Sequence, residues 1–249
     1  MITPVEQYVI RLLSSIGIEA EKIPESMNRS PDLEAHDDAH RYLIEVKTRT
    51  DDESVTQELG AAGVAYQMSP IAPTNATSEI FRDAVQQLDS FGVTERVKLV
   101  WLCIRSRRKS DETLAEQAKH TLYGISRVGG TGLGAKAPAC YFFHESVFFR
   151  YPQLSGVVID VAGGRLLCLN PYGQQVEELR NSRLAVYFRA GIVNPIEREQ
   201  AGLCLLADCD IDRRRSDLVL QYVSTKYGID DAFDFNIDEH VSIGVIGHE

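Results

Sequence analysis

Ser30-Pro31-Asp32-Leu33-Glu34-Ala35 is followed, after the acidic link His36-Asp37-Asp38-Ala39-His40, by Arg41-Tyr42-Leu43-Ile44-Glu45-Val46-Lys47-Thr48. Tyr42, Ile44 and Val46 favour extended backbone, and the link is rich in turn-forming residues. The stretch therefore reads as two short strands, 31–35 and 41–48, joined as a hairpin. On a strand, residues i and i+2 share a face, so Glu45 and Lys47 point the same way, about 7 Å apart along the chain. If the two strands pair, the carboxylate of Asp32 reaches the same place, and two carboxylates and an ammonium converge. The bland alternative is a solvated strand edge on which Glu45 and Lys47 form an ordinary ion pair and Asp32 caps a turn.

That convergence suits hydrolysis of a phosphodiester. A divalent cation needs hard oxygen ligands while water attacks phosphorus in line. Asp32 and Glu45 are the expected ligands, the backbone carbonyl of Val46 offers a further oxygen, and waters complete an octahedral Mg²⁺, for which Mn²⁺ should substitute. Lys47 is placed to orient the attacking water, to favour its deprotonation, or to neutralise charge developing on the phosphate.

On either side of the hairpin the periodicity is legible. Val5, Val9, Leu12 and Leu13 recur at helical spacing, with Thr3 as a cap and Pro4 in the first turn. Gly17 ends that helix, and Ile18 to Ile23 alternates apolar and charged residues like a half-exposed strand. Residues 51–73 carry conflicting signals: 58–66 has helical character, but Gly60, Gly63, Pro70 and Pro73 interrupt it. Ser78 to Phe91 is a helix with a stripe of Ile80, Phe81, Ala84, Val85 and Leu88, closed by Gly92. Val97 to Ile104 is nearly all apolar, as for a strand covered on both faces. The resulting order is helix, three strands, helix, strand.

With Pro31-Asp32, Glu45-Val46-Lys47 and this order in hand, the chain resembles the PD-(D/E)xK superfamily of restriction-endonuclease-like nucleases, over residues 3 to about 104. The resemblance implies an α/β fold with a mixed sheet, a metal-dependent nuclease activity, and DNA as the expected nucleic acid. It also implies two supporting positions. Glu6 stands where many members carry a metal-supporting glutamate on the first helix, although an acid in a first turn is equally explained by the helix dipole. Gln86 or Gln87 stands where some members place a glutamine near the scissile phosphate, and helical phase does not decide between them. Arg29 and Arg49 flank the motif, and the link Arg105, Arg107, Arg108 and Lys109 leaves the end of the apolar strand; these are the candidate phosphate contacts.

The charge balance opposes a broad nucleic-acid surface. The formal charge is −10 in 249 residues, and neither residues 1–110 (13 Lys+Arg, 17 Asp+Glu) nor the remainder (13 and 19) is basic. Any such surface must be a local patch, and a non-catalytic member of the fold, binding nucleic acid or protein, is the alternative reading. Cleavage of both strands would suit a homodimer, though no sequence feature dictates one. At 44% apolar residues the chain can bury a core. No run approaches the roughly 20 apolar residues of a membrane span, and the start lacks the pattern of a signal peptide, so a cytoplasmic location is expected. The five scattered cysteines read as reduced packing residues.

The second half is also mixed α/β, with strands expected at 139–143, 156–161, 165–169, 203–208 and 241–246 and helices at 110–123 and 214–227. A division into a core of residues 1–128 and an extension of 137–249 is expected, with the alternative of one continuous domain. Gly129 to Gly134 has the glycine density of a phosphate loop, but Ala137 stands where Ser or Thr would meet Mg²⁺, and a connector is the better reading. Asp208, Asp210 and Asp212 suggest a calcium loop or a phosphatase acid motif; Arg213 and Val219 break the first and Asp212 the second. The aromatic cluster Tyr141, Phe142, Phe143, Phe148, Phe149 and Tyr151 suits a core or a subunit interface better than base stacking.

Overall fold

A computed structural model describes residues 2–24, 30–50, 64–70, 75–105, 111–133, 137–235 and 239–245, with the backbone alone for 64–70, 235 and 239–245. Helix α1 (Pro4–Ser15) leads into strands β1 (Glu19–Lys22), β2 (Leu33–His36), β3 (Arg41–Arg49) and β4 (Val64–Pro70). Helix α2 (Asn75–Ser90), β5 (Val97–Ile104) and helix α3 (Asp111–Tyr123) come next. The later strands are β6 (Ser126–Thr131), β7 (Ala139–Tyr141), β8 (Gly156–Val161), β9 (Gly164–Leu169), β10 (Ile192–Val193), β11 (Leu205–Leu206), β12 (Asp230–Phe235) and β13 (Glu239–Val245).

The central sheet runs β1-β2-β3-β5-β8-β9-β10. β1, β2 and β3 form an antiparallel meander, with Leu33 opposite Ile44, and β5 lies parallel to β3 with Glu45 beside Val100 and Lys47 beside Leu102. The helix, three-strand, helix, strand order is thus present, with β4 as an excursion that leaves the central sheet and pairs with β13. In the segment whose signals conflicted, Val64–Pro70 is strand; residues 51–63 lie outside the described residues. The sheet also crosses the expected division at 128–137, because β8, β9 and β10 extend it from the other half of the chain.

All eight residues of β5 are buried, since helices cover both sides of the sheet. On one side, Phe81, Ala84, Val85 and Leu88 of α2 and Leu114, Ala118 and Leu122 of α3 pack on Leu43, Val100, Leu102, Val157 and Ile159. On the other, Val9 and Leu13 of α1 pack on Ile44, Trp101 and Val158. Strand parity therefore sends Leu43, Glu45 and Lys47 toward α2, and Ile44 and Val46 toward α1. Even Lys98 is buried within β5, where Asp89 of α2 accepts its ammonium at 2.7 Å.

Two sequence readings are corrected. Gly129, Gly130 and Thr131 are not connector but the end of β6, paired with β12; Gly130 has φ +156° and lies so close to Ile229 and Asp230 that a Cβ there would clash. Residues 134–136 lie outside the described residues. The 203–208 run forms only the two-residue β11, and the chain beyond it is organised by Arg213. Its guanidinium is buried and donates to the carbonyls of Ala207, Cys209, Ile211 and Phe142, and stacks 3.8 Å from the Phe149 ring centroid. Asp208 accepts from Lys226 and Tyr222 of the helix Ser216–Tyr227, and Asp212 pairs with Arg214, so those aspartates serve local structure. Tyr141, Phe142, Phe143 and Phe148 are buried, with Tyr123 edge-on to Tyr141, Phe142 and Phe148, which makes the aromatic cluster core. The five cysteines are free, four of them buried.

Candidate active site at the β2–β3 edge

The β2–β3 ladder stops at Leu33 and Ile44, so beyond it the backbone of β3 faces Asp32 instead of a strand. The amide of Val46 donates to Asp32 Oδ2 at 2.9 Å, and the amide of Asp32 donates to Glu45 Oε2 at 3.2 Å. These reciprocal bonds tie both carboxylates to the backbone that presents them. The N–H and C=O of one strand residue point to the same edge, so the Val46 carbonyl faces the Asp32 side as well.

Lys47 completes the group. Its ammonium lies 2.7 Å from Glu45 Oε1 and donates to Gln87 Oε1 of α2 at 2.6 Å. Gln86 sits one residue, or about 100°, round the helix and is exposed, whereas Gln87 is half-buried. The choice that helical phase left open is therefore made by α2 docking on the face where Lys47 emerges.

Glu45 is 1% exposed. Burial, with the Asp32 charge second, pushes its carboxyl up to about 7, against the opposing pull of Lys47. A carboxylate in this position gains from an added cation. Asp32, the Val46 carbonyl and Glu45 offer the hard oxygen donors that Mg²⁺ takes from proteins, one or two carboxylates with water in the remaining positions. Among the described residues no group of three or more His, Cys, Asp or Glu is placed to hold a metal ion, so an ion here would take its protein oxygens from the two carboxylates and the Val46 carbonyl, with water in the other positions.

Glu6 enters the same group from α1. Its Oε2 accepts from the Thr3 amide at 2.8 Å while its own amide donates to Thr3 Oγ1 at 3.2 Å, a capping box that locks the first turn. Its Oε1 accepts from Lys22 Nζ at 2.6 Å, and the same ammonium reaches Asp32 Oδ1 at 3.0 Å. Burial would raise the Glu6 carboxyl, but Lys22 and the Thr3 amide hold it below its ordinary value. Burial would likewise lower the Lys22 ammonium, and the bonds to Glu6 and Asp32 outweigh it and keep it raised. Thr3→Ala should cost about 1 kcal/mol, seen as a lower thermal midpoint, and a Thr3→Ser variant should recover it; equal midpoints for all three proteins would show that the box contributes nothing.

Lys22 was not singled out by the sequence, where it reads as the exposed side of an alternating strand. Its signal is register: Lys22 pairs with Leu33, next to Asp32. Asp160 was missed as well. It is 1% exposed, and its carboxylate accepts from Tyr8, Trp101, Arg105 and Arg165 at 2.8–3.3 Å. Arg105 is thereby engaged at the end of β5, and Arg49 donates to Gln117 of α3 at 2.9 Å. Arg29, Arg107, Arg108 and Lys109 lie outside the described residues.

The strand order defines the class: a mixed α/β protein whose central sheet joins an antiparallel β1-β2-β3 meander to a parallel β5. No protein-family model matches the chain, and no curated protein matches it. Similar solved structures include Hjc, a Holliday junction resolvase from Archaeoglobus fulgidus, at 17% identity over 43% of this chain and 69% of that one, with a TM-score of 0.23. Another is SfsA of Pyrococcus furiosus in complex with Ca²⁺, at 16% identity over 46% of this chain and 47% of that one, with a TM-score of 0.21. No helix among the described residues is long and apolar enough to cross a membrane.

Proposed function

We propose that the protein is a Mg²⁺-dependent nuclease that hydrolyses phosphodiester bonds in DNA. The observation that carries this reading is the convergence of Asp32, Glu45 and Lys47 at one strand edge, each held by a further partner. Asp32, Glu45 and the Val46 carbonyl would hold the ion. When bound, the ion supplies a Lewis acid for a phosphoryl oxygen and acidifies a ligated water.

The remaining work falls to the chain itself. Val46 N–H fixes the rotamer of Asp32, and the Asp32 amide fixes that of Glu45, so the ligands need little reorganisation. Lys47 brings a charged donor to the reacting phosphate, where it can hold the attacking water and offset negative charge in the transition state. Gln87 keeps that ammonium over Glu45. Two-strand cleavage would call for a homodimer, which sedimentation would read.

The deciding experiment joins two measurements on the full chain. Calorimetry with Mn²⁺ on wild type and Glu45→Ala should show binding that the variant loses. Incubation with single-stranded, duplex and branched DNA should show cleavage that requires Mg²⁺ and identifies the preferred shape. A folded wild type that binds no metal and cuts nothing would favour the non-catalytic interaction module, the reading to which the charge of −10 inclines.

A further inference from the structure

Lys22 occupies a position that the proposed chemistry alone does not explain. Its ammonium bridges Glu6 Oε1 at 2.6 Å and Asp32 Oδ1 at 3.0 Å, and its side chain is only 15% exposed. Glu6 is otherwise fixed by the Thr3 amide, and Asp32 by the Val46 amide, so both carboxylates are aimed at the ammonium from stiff supports. If an ion binds as proposed above, Asp32 would face it on the Glu45 and Val46 side, while on the Glu6 side Asp32 already faces the Lys22 ammonium.

We propose that Lys22 is the centre's own second cation, and that it restricts the site to a single divalent ion. The inference rests on the metal-dependent reading above. Phosphodiester-cleaving centres divide into those with one ion and those with two ions about 3.5–4 Å apart, bridged by shared carboxylates. A second ion here would need Asp32 together with another acid, and among the described residues Glu6 is the acid that shares a partner with Asp32. Its place is taken by a tethered ammonium that cannot dissociate.

Charge counting agrees. Glu6, Asp32 and Glu45 carry three negative charges and Lys22 and Lys47 two positive, a formal balance of 2 − 3 = −1. One divalent ion brings the group to +1 and a second would bring it to +3, in a part of the protein where burial makes uncompensated charge costly. With Lys22 removed, the balance falls to −2 and the Glu6–Asp32 pair becomes an open bidentate position.

The test counts ions. Mn²⁺ calorimetry on the full chain should give one ion for wild type and for Lys22→Arg, two for Lys22→Met, and one again for Lys22→Met combined with Glu6→Gln. Electron paramagnetic resonance of Mn²⁺-saturated wild type should show an isolated ion with no spin-coupled pair, and this reading stands even if Lys22→Met fails to fold. Two ions or a coupled pair in wild type would overturn the inference and leave the metal centre standing. So would a folded Lys22→Met that still binds one. Absence of any binding in wild type would remove the metal centre itself, and the inference with it.

Discussion

Lys47→Ala is expected to lower the rate of DNA cleavage by about 10³-fold or more, the scale of a positioned proton-transfer group combined with a charge that stabilises the transition state. The fold should survive, because the Lys47 side chain is 24% exposed and, although it faces α2, belongs to neither apolar core cluster. Metal affinity should persist as well, with one shift. Lys47 opposes the upward push on the Glu45 carboxyl, so its loss raises that group further and moves metal binding to higher pH. Asp32→Ala and Glu45→Ala differ from it by losing the metal together with cleavage. Gln87→Ala, which frees the ammonium without removing it, should lose about 10- to 100-fold, as is usual when a supporting partner is deleted. Calorimetry at pH 8 beside single-turnover cleavage separates these cases. Unchanged rates in Asp32→Ala, Glu45→Ala and Lys47→Ala would end the mechanism.

The metal-free protein should lose stability as pH rises from about 5 to about 8. Glu45 titrates near 7 when folded and near 4.5 when unfolded. Between those values the folded state holds the proton more tightly, so each rise in pH favours unfolding. The full difference is about 3 kcal/mol, absent below pH 4.5 and complete above 7. Glu45→Gln carries no titrating proton and should escape the decline, standing several degrees above wild type at pH 8 and level with it at pH 4. Asp37 acts in the opposite sense and window. Hydrogen bonds from Tyr42, Ala39 and His40 outweigh burial and bring its carboxyl down to about 2, so its contribution is present above the ordinary carboxylate range and fades only on acidification. Comparing wild type with Glu45→Gln removes that background. Thermal midpoints from pH 4 to 8 provide the check, and parallel profiles for the two proteins would show that Glu45 is not held as the geometry requires.

The catalytic candidates were legible because their arrangement is local. Parity alone puts Glu45 and Lys47 on one face of a strand, and a five-residue link brings Asp32 back beside them. The capped first helix and the apolar β5 are equally local, since each depends on periodicity within some ten residues. The alternation that identified β1, however, assigned Lys22 to a solvated side. Only the docking of α1 against the β1–β2 register turns that side into the gap between Glu6 and Asp32. Glycine density at 129–131 suggested a connector because it reports backbone freedom; the actual requirement is the close approach of β12. Asp160 shows the same limit at greater range, since its partner Tyr8 lies 152 residues away in the chain. Periodicity determines which face of an element a residue occupies. What lies opposite that face is decided by the packing of elements distant in sequence, and so the choice of Gln87 over Gln86, the place of Lys22 and the joining of β8 to β5 belong to the tertiary structure.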